Sequence, residues 1–210
     1  MEFMSGYYRQ KEDSTALLLQ QYVCREVPVC FGCVCGGESR EAGMAGGVFT
    51  GRLLKEFRGF SLLKAVEKPS VFLKKMERKI GRCRENCDVP ADFWTAGILC
   101  VAENFLLFFE GGAKIVLCNT GFGRPSLQEI GDEGRERRMA VQQGSMEAGI
   151  GILLASEGFY DHVPREDMLS CLWVKEIRSS GQTMKRIREL GGMAEQRGGR
   201  GVGALLLEVR

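Results

Sequence analysis

The residue that stands out as chemically useful in this chain is a carboxylate at the end of an apolar run. Between Ile150 and Val163 the run Ile152-Leu153-Leu154-Ala155 ends in Ser156-Glu157-Gly158 and continues Phe-Tyr-Asp. This reads as a metal-ligand turn with Glu157 as the ligand. Hard cations such as Mg2+ and Mn2+ take several oxygen ligands, largely charged, so carboxylates brought together from distant strand ends are the pattern they require.

A softer metal finds less. Cys30, Cys33 and Cys35, with Cys24 upstream, form a C-x2-C-x-C pattern, but no second pair at ligand spacing follows and His162 is the only histidine. VPVCFGCVCGG reads instead as a buried strand in which cysteine serves as a small apolar residue. The chain has nine cysteines, an odd number, and MEFMSGYYRQKED lacks a basic region followed by an apolar core. Reduced thiols and a cytoplasmic location are the expectation. With one histidine, no nucleophile elbow and no phosphate-binding glycine loop, other enzyme classes find little support.

The elements that must hold these residues follow from patterning. At 210 residues, 44% hydrophobic and 27% charged, the chain fits one soluble domain over 1–210 with a substantial core. Alternation and β-branched or aromatic content predict strands near Ala16–Val23, Val29–Cys35, Gly97–Val101, Phe105–Phe109, Lys114–Leu117, Gly151–Ala155 and Ala204–Val209. Glu110-Gly111-Gly112 is a turn signal, so Phe105 to Leu117 reads as a hairpin. Apolar residues at helical spacing occur at Phe49, Leu53, Leu54 and Phe57, at Phe72, Met76 and Ile80 on a strongly basic segment, and at Met168, Leu169 and Leu172, resuming at Met184, Ile187 and Leu190. Gly131 to Arg138 and Glu195 to Gly203 read as loops. The second has an Arg-Gly-Gly flavour found in some RNA-binding tails, but it runs directly into the strand ALLLEV. Strands in pairs with helices grouped between them predict an α+β fold with antiparallel sheets. The longest apolar stretches fall short of the ~20 residues of a spanning helix. Net charge is +2, and no membrane or nucleic-acid partner is expected.

Four segments, taken in order, resemble the metal-dependent protein phosphatases, the PPM-type or type 2C serine/threonine enzymes. RQKEDSTALLL, Arg9 to Leu19, is similar to the family's N-terminal strand and its acidic signature. VCFGCVCGGESREAGMAGG, Val29 to Gly47, is similar to the strand ending in Asp-Gly-Met-Gly-Gly and the helix after it. Thr95 through KIVLCN resembles the Gly-Thr-Thr strand and the hairpin carrying Gly-Asp-Ser-Arg, here Gly111-Gly112-Ala113-Lys114. EAGIGILLASEGFYDHV with GRGVGALLLEV resembles the Pro-Gly-Asp, Ser-Asp-Gly and final Asp-Asn elements. The resemblance implies a four-layer α-β-β-α sandwich, two antiparallel sheets face to face with helices outside.

It also implies a centre of two dications, Mn2+ or Mg2+, ringed by carboxylates, with a bridging hydroxide attacking the phosphoester. Here that ring is depleted. Asp13 keeps the N-terminal Asp, with Glu12 before it, and the Asp of Ser-Asp-Gly becomes Glu157. The bridging Asp falls on Gly36, with Glu38-Ser39-Arg40 in place of Met-Gly-Gly. The last Asp falls on Arg200, with Gly201 in place of Asn. Arg9 lies one residue off the family's phosphate-gripping Arg. Dications sharing only Asp13, Glu157 and Glu12 would be poorly neutralised and would face Arg200. The expectation is a pseudophosphatase with no cofactor, binding a protein or phospho-ligand. The alternatives are a weakly active phosphatase using Mn2+ or Mg2+, and a structural protein on the same fold. Arg200 is expected to stand in for the lost metal by pairing with Asp13 or Glu157.

Overall fold

Strands of this chain are apolar on both faces wherever they lie at the centre of a sheet, and this dictates the layers. The computed structural model describes residues 2–10, 14–119, 126–130, 139–145, 149–173 and 179–209. In chain order its strands are β1 (Phe3–Arg9), β2 (Thr15–Cys24), β3 (Val27–Gly36), β4 (Trp94–Val101), β5 (Asn104–Glu110), β6 (Lys114–Asn119), β7 (Ser126–Ile130), β8 (Ala140–Ser145), β9 (Ile150–Ala155) and β10 (Gly203–Val209). Its helices are α1 (Arg40–Arg58), α2 (Leu62–Glu67), α3 (Pro69–Glu85), α4 (Glu157–Tyr160), α5 (Arg165–Leu172) and α6 (Ser180–Gln196).

Two antiparallel five-stranded sheets result, ordered β2-β3-β4-β5-β8 and β1-β10-β9-β6-β7. Side chains alternate between faces with period two. Along β3, Val29, Phe31, Cys33 and Cys35 point to the helices, while Cys30 and Val34 point to the other sheet. In β5, Leu106 and Phe108 face the helices and Phe105, Leu107 and Phe109 face inward. The inter-sheet layer is completed by Ile152, Leu154, Leu205 and Leu207. Outside, Phe49, Leu53 and Phe57 of α1 and Phe72, Met76 and Ile80 of α3 cover the first sheet. Met168 and Leu172 of α5 and Ile187, Leu190 and Ala194 of α6 cover the second. The α-β-β-α sandwich is therefore the observed architecture. Among the described residues, no helix is long and apolar enough to cross a membrane.

Two of the elements expected from the sequence differ in the structure. Phe105 to Leu117 is not a hairpin: β5 pairs with β4 and β8, whereas β6 pairs with β7 and β9 in the other sheet. Gly111 and Gly112 carry the chain across, and Gly111 has φ +67°. A Cβ there would also strike the Phe93 carbonyl, so the residue type serves a crossing as readily as a tight turn. The loop predicted from Glu195 begins later, since α6 continues to Gln196. Gly131 to Arg138 lies outside the described residues.

All nine cysteines are free thiols, Cys24 half-buried and the others buried. Removal from water pushes Cys30 and Cys171 up to about 12 and Cys118 up to about 11. Ellman's reagent at mildly alkaline pH should therefore modify Cys24 rapidly, and Cys30, Cys33, Cys35, Cys100 and Cys118 only after unfolding. The folded values lie above the ordinary thiol value of 9.0. Their contribution to stability is thus complete below pH 9 and is lost as pH climbs toward 11–12, while the unfolded chain ionises. Melting temperature should fall across that window. A flat profile, or native-state labelling of Cys33, would contradict this burial.

Candidate functional site

Three of the four motif segments meet at one end of the sandwich, around a cleft of about 700 Å³. β3 stops at Gly36, and Gly37-Glu38 leads to Ser39, which caps α1 by accepting a hydrogen bond from the Ala42 amide at 3.2 Å. β9 stops at Ala155. Ser156 Oγ then accepts from the Phe159 amide and the Gly203 amide, both at 3.1 Å, tying α4 to the start of β10. Glu157 thus opens a short helix rather than a turn.

Glycines allow the segments to close on one another. Gly158 lies against the Arg200 carbonyl, and Gly201, at φ +57°, sits where a Cβ would come within 2.6 Å of the Gly37 carbonyl. Gly112 faces Glu157, with its absent Cβ 2.5 Å from Oε2. The first segment arrives through its far end: the Ser14 carbonyl accepts from the Gly37 amide at 3.1 Å, and Thr15 pairs with Gly36. Glu12 and Asp13 lie outside the described residues. Arg9 ends β1 opposite Gly203. It is exposed and, among the described residues, is not part of the cleft lining.

Glu38, Asp92, Glu110, Glu157, Asp161, His162, Arg84 and Arg200 line the cleft. Two of these carboxylates are committed. Asp92 Oδ2 accepts from the Ser39 amide at 2.7 Å and Oδ1 from Ser39 Oγ at 3.0 Å. Partial burial pushes its pKa up, but these bonds outweigh burial and hold it below the ordinary carboxylate value. Glu110 is gripped by a guanidinium fork, Arg84 Nε to Oε2 at 2.6 Å and Nη2 to Oε1 at 2.5 Å. The Glu110 side chain is 4% exposed and that of Arg84 22%. The Arg84 guanidinium also stands 5.8 Å from the centroid of Phe93. The hydrogen bond to Glu110 raises the Arg84 pKa above its already high value.

The sequence reading missed Arg84, Asp92, Asp161 and His162 as site residues and took Glu110 only for a turn. Arg84 lies on a helix whose other cations face solvent, and Asp92 lies in a connection with no periodic pattern. Neither position carries a local signal. The pairing expected between Arg200 and Glu157 is not formed, and the alternative partner Asp13 lies outside the described residues. Among the described residues Arg200 makes no ion pair, and it is exposed at the cleft edge. Backbone packing against Gly158 and Gly37 holds this loop in place.

Among the described residues, the cleft side chains do not fit a two-dication centre. A Cβ on Gly36 would overlap the Ser14 carbonyl and lie 2.9 Å from Thr15 Cα, so a bridging carboxylate has no room there. Asp92 and Glu110 are spent on Ser39 and Arg84. Glu38, Glu157 and Asp161 remain, opposed by Arg200. Among the described residues no group of three or more His, Cys, Asp or Glu side chains is placed to hold a metal ion.

The chain has the fold of the PPM-type serine/threonine phosphatases. It superimposes on the S. agalactiae serine/threonine phosphatase at 15% identity, covering all of both chains with a TM-score of 0.60. It is similar to the catalytic domain of serine/threonine phosphatase PstP in complex with two manganese ions, at 16% identity, 99% of each chain and a TM-score of 0.61. It is likewise similar to RsbX in complex with magnesium, at 12% identity, 99% of this chain, 94% of that one and a TM-score of 0.63. No protein-family model matches the sequence, and no curated protein matches it.

Proposed function

We propose that the chain is a pseudophosphatase, a phosphatase-fold binding module that does not turn over phosphoesters. The observation that carries this reading is Gly36. Its strand position is closed to any side chain by the β2 backbone, so the carboxylate that would bridge two metals is absent and cannot be added in place. The cleft is a ligand site of mixed charge, with Arg200 and His162 beside Glu38, Glu157 and Asp161. A phospho-ligand or a loop of a partner protein suits it. Free thiols throughout support a cytoplasmic location for this binding module.

The test is hydrolysis of a generic aryl phosphate in millimolar Mn2+, expected at background and unchanged by Asp13→Ala. Turnover on the order of 1–100 per second, abolished by that substitution, would overturn the proposal. One observation favours a second reading, a weakly active enzyme: Glu38, Glu157 and Asp161 line one cleft. Calorimetric titration with Mn2+ separates the two, since saturable binding of two ions per chain belongs to the enzyme alone.

A further inference from the structure

The strongly basic segment of the sequence folds into the outer helical layer, where the cleft does not use most of it. Between Arg52 and Glu85 eleven Lys and Arg stand against four Glu, although the whole chain carries only +2. Three of those acids are already engaged. Glu56 pairs with Lys79 at 2.9 Å and Glu67 with Arg25 at 3.4 Å. Glu77 accepts a hydrogen bond from Gln143 Nε2 at 2.6 Å. Lys64, Lys68, Lys74, Lys75 and Arg78 are exposed.

Where α2 turns into α3, this surface opens into a groove of about 370 Å³ that shares no residue with the cleft. Phe60 and Phe72 line it, their rings edge to face with centroids 5.4 Å apart. Val71, 50% exposed, forms part of the wall, and Lys64, Lys68 and Lys75 are its ammonium groups. The lining's one carboxylate, Glu67, is the partner of Arg25. A concave apolar site ringed by cations suits an occupant that inserts one large apolar side chain and carries negative charge on either side.

We propose that this groove docks an acidic peptide segment of a partner protein. One aromatic or large aliphatic side chain seats against Phe60 and Phe72, and flanking carboxylates meet Lys64, Lys68 and Lys75. Concavity favours a peptide over a bilayer, which would lie across the rim and leave the groove unfilled. It also favours a peptide over nucleic acid, because the paired rings meet edge to face rather than offering flat platforms for bases.

The test measures fluorescence anisotropy of a short labelled peptide of Asp and Glu with one central Trp, against the full chain. Binding should weaken by about tenfold or more when the Trp is replaced by Ser, and likewise with Lys68→Glu/Lys75→Glu. Raising the salt should weaken it too. Lys68 caps the end of α2 and the start of α3 through its backbone, and its exposed side chain makes no capping bond, so the variant should fold. Val71→Asp, at an exposed position, should weaken binding independently. Lys74→Glu/Arg78→Glu, exposed on α3 outside the groove, should change binding by less than about twofold. Failure to bind would overturn the proposal, as would indifference to the Trp. So would equal loss from the Lys68→Glu/Lys75→Glu and Lys74→Glu/Arg78→Glu pairs. Preferential capture of phosphatidylserine vesicles or single-stranded RNA over the peptide would overturn it in favour of those ligands.

Discussion

Arg84→Ala should lower stability by about 2–4 kcal/mol, making it one of the most damaging single changes at the cleft. The Glu110 carboxylate is almost wholly out of water, and both its oxygens are satisfied by the same guanidinium. Removing that guanidinium leaves a buried charge unpaired, and such a charge costs far more than the pair itself contributes. The partial exposure of Arg84 keeps the loss below the full cost of a deep interior pair. For a domain of this length the melting temperature should drop by roughly 5–15 °C. The double change Arg84→Met/Glu110→Leu removes both charges and should recover most of the loss, because apolar groups of similar volume replace a buried pair at little cost. A double-mutant cycle in urea measures the coupling. Coupling near zero would mean that Glu110 is reached by water and that the fork is only a surface contact.

The same pair shows what the sequence could and could not convey. Strands β3, β4, β5, β6, β9 and β10 were legible because central strands buried on both faces read as continuous apolar runs, and the edge strand β2 was legible from its run Ala16-Leu17-Leu18-Leu19. Three strands escaped. β7 (SLQEI) and β8 (AVQQGS) lie at sheet edges and are mostly exposed, so half their residues are polar and no run stands out. β1 (FMSGYYR) is also an edge strand and carries Gly6, where a Cβ would strike the Thr183 and Met184 backbone, so close packing of α6 interrupts its apolar pattern. The site was legible only as far as its segments had a local pattern: a strand end, a glycine, an acid. Arg84 and Glu110 are 26 residues apart, and nothing in either neighbourhood announces the other. The pairing of Arg200 with Glu157 failed for a related reason. Charge complementarity suggested a contact, but the orientation of that loop is decided by two glycines packing backbone on backbone, which charge counting does not see.

Gly36→Asp carries the largest consequence for the proposed function, because it would place a carboxylate where the resemblance to the metal-dependent phosphatases implies one. It should destabilise the chain by about 3 kcal/mol or more and bring no phosphatase activity. Gly36 is the last residue of β3, paired with Thr15 on one side and Trp94 on the other. The Ser14 carbonyl occupies the space a Cβ would need, and Thr15 Cα lies 2.9 Å from it. Both obstacles are backbone, so no rotamer change relieves the overlap. The β2 strand must shift, and with it the Ser14 carbonyl that accepts from the Gly37 amide. Gly36→Ala isolates the steric part. If space is the obstacle, Ala and Asp should cost nearly the same, with melting temperatures lowered together and Mn2+-dependent hydrolysis at background for both. The opposite result is equally clear. A Gly36→Asp protein that melts like the parent and hydrolyses an aryl phosphate in Mn2+ would show that β2 yields readily. The missing carboxylate would then be the sole barrier to catalysis, and the weakly active phosphatase would become the better reading of the cleft.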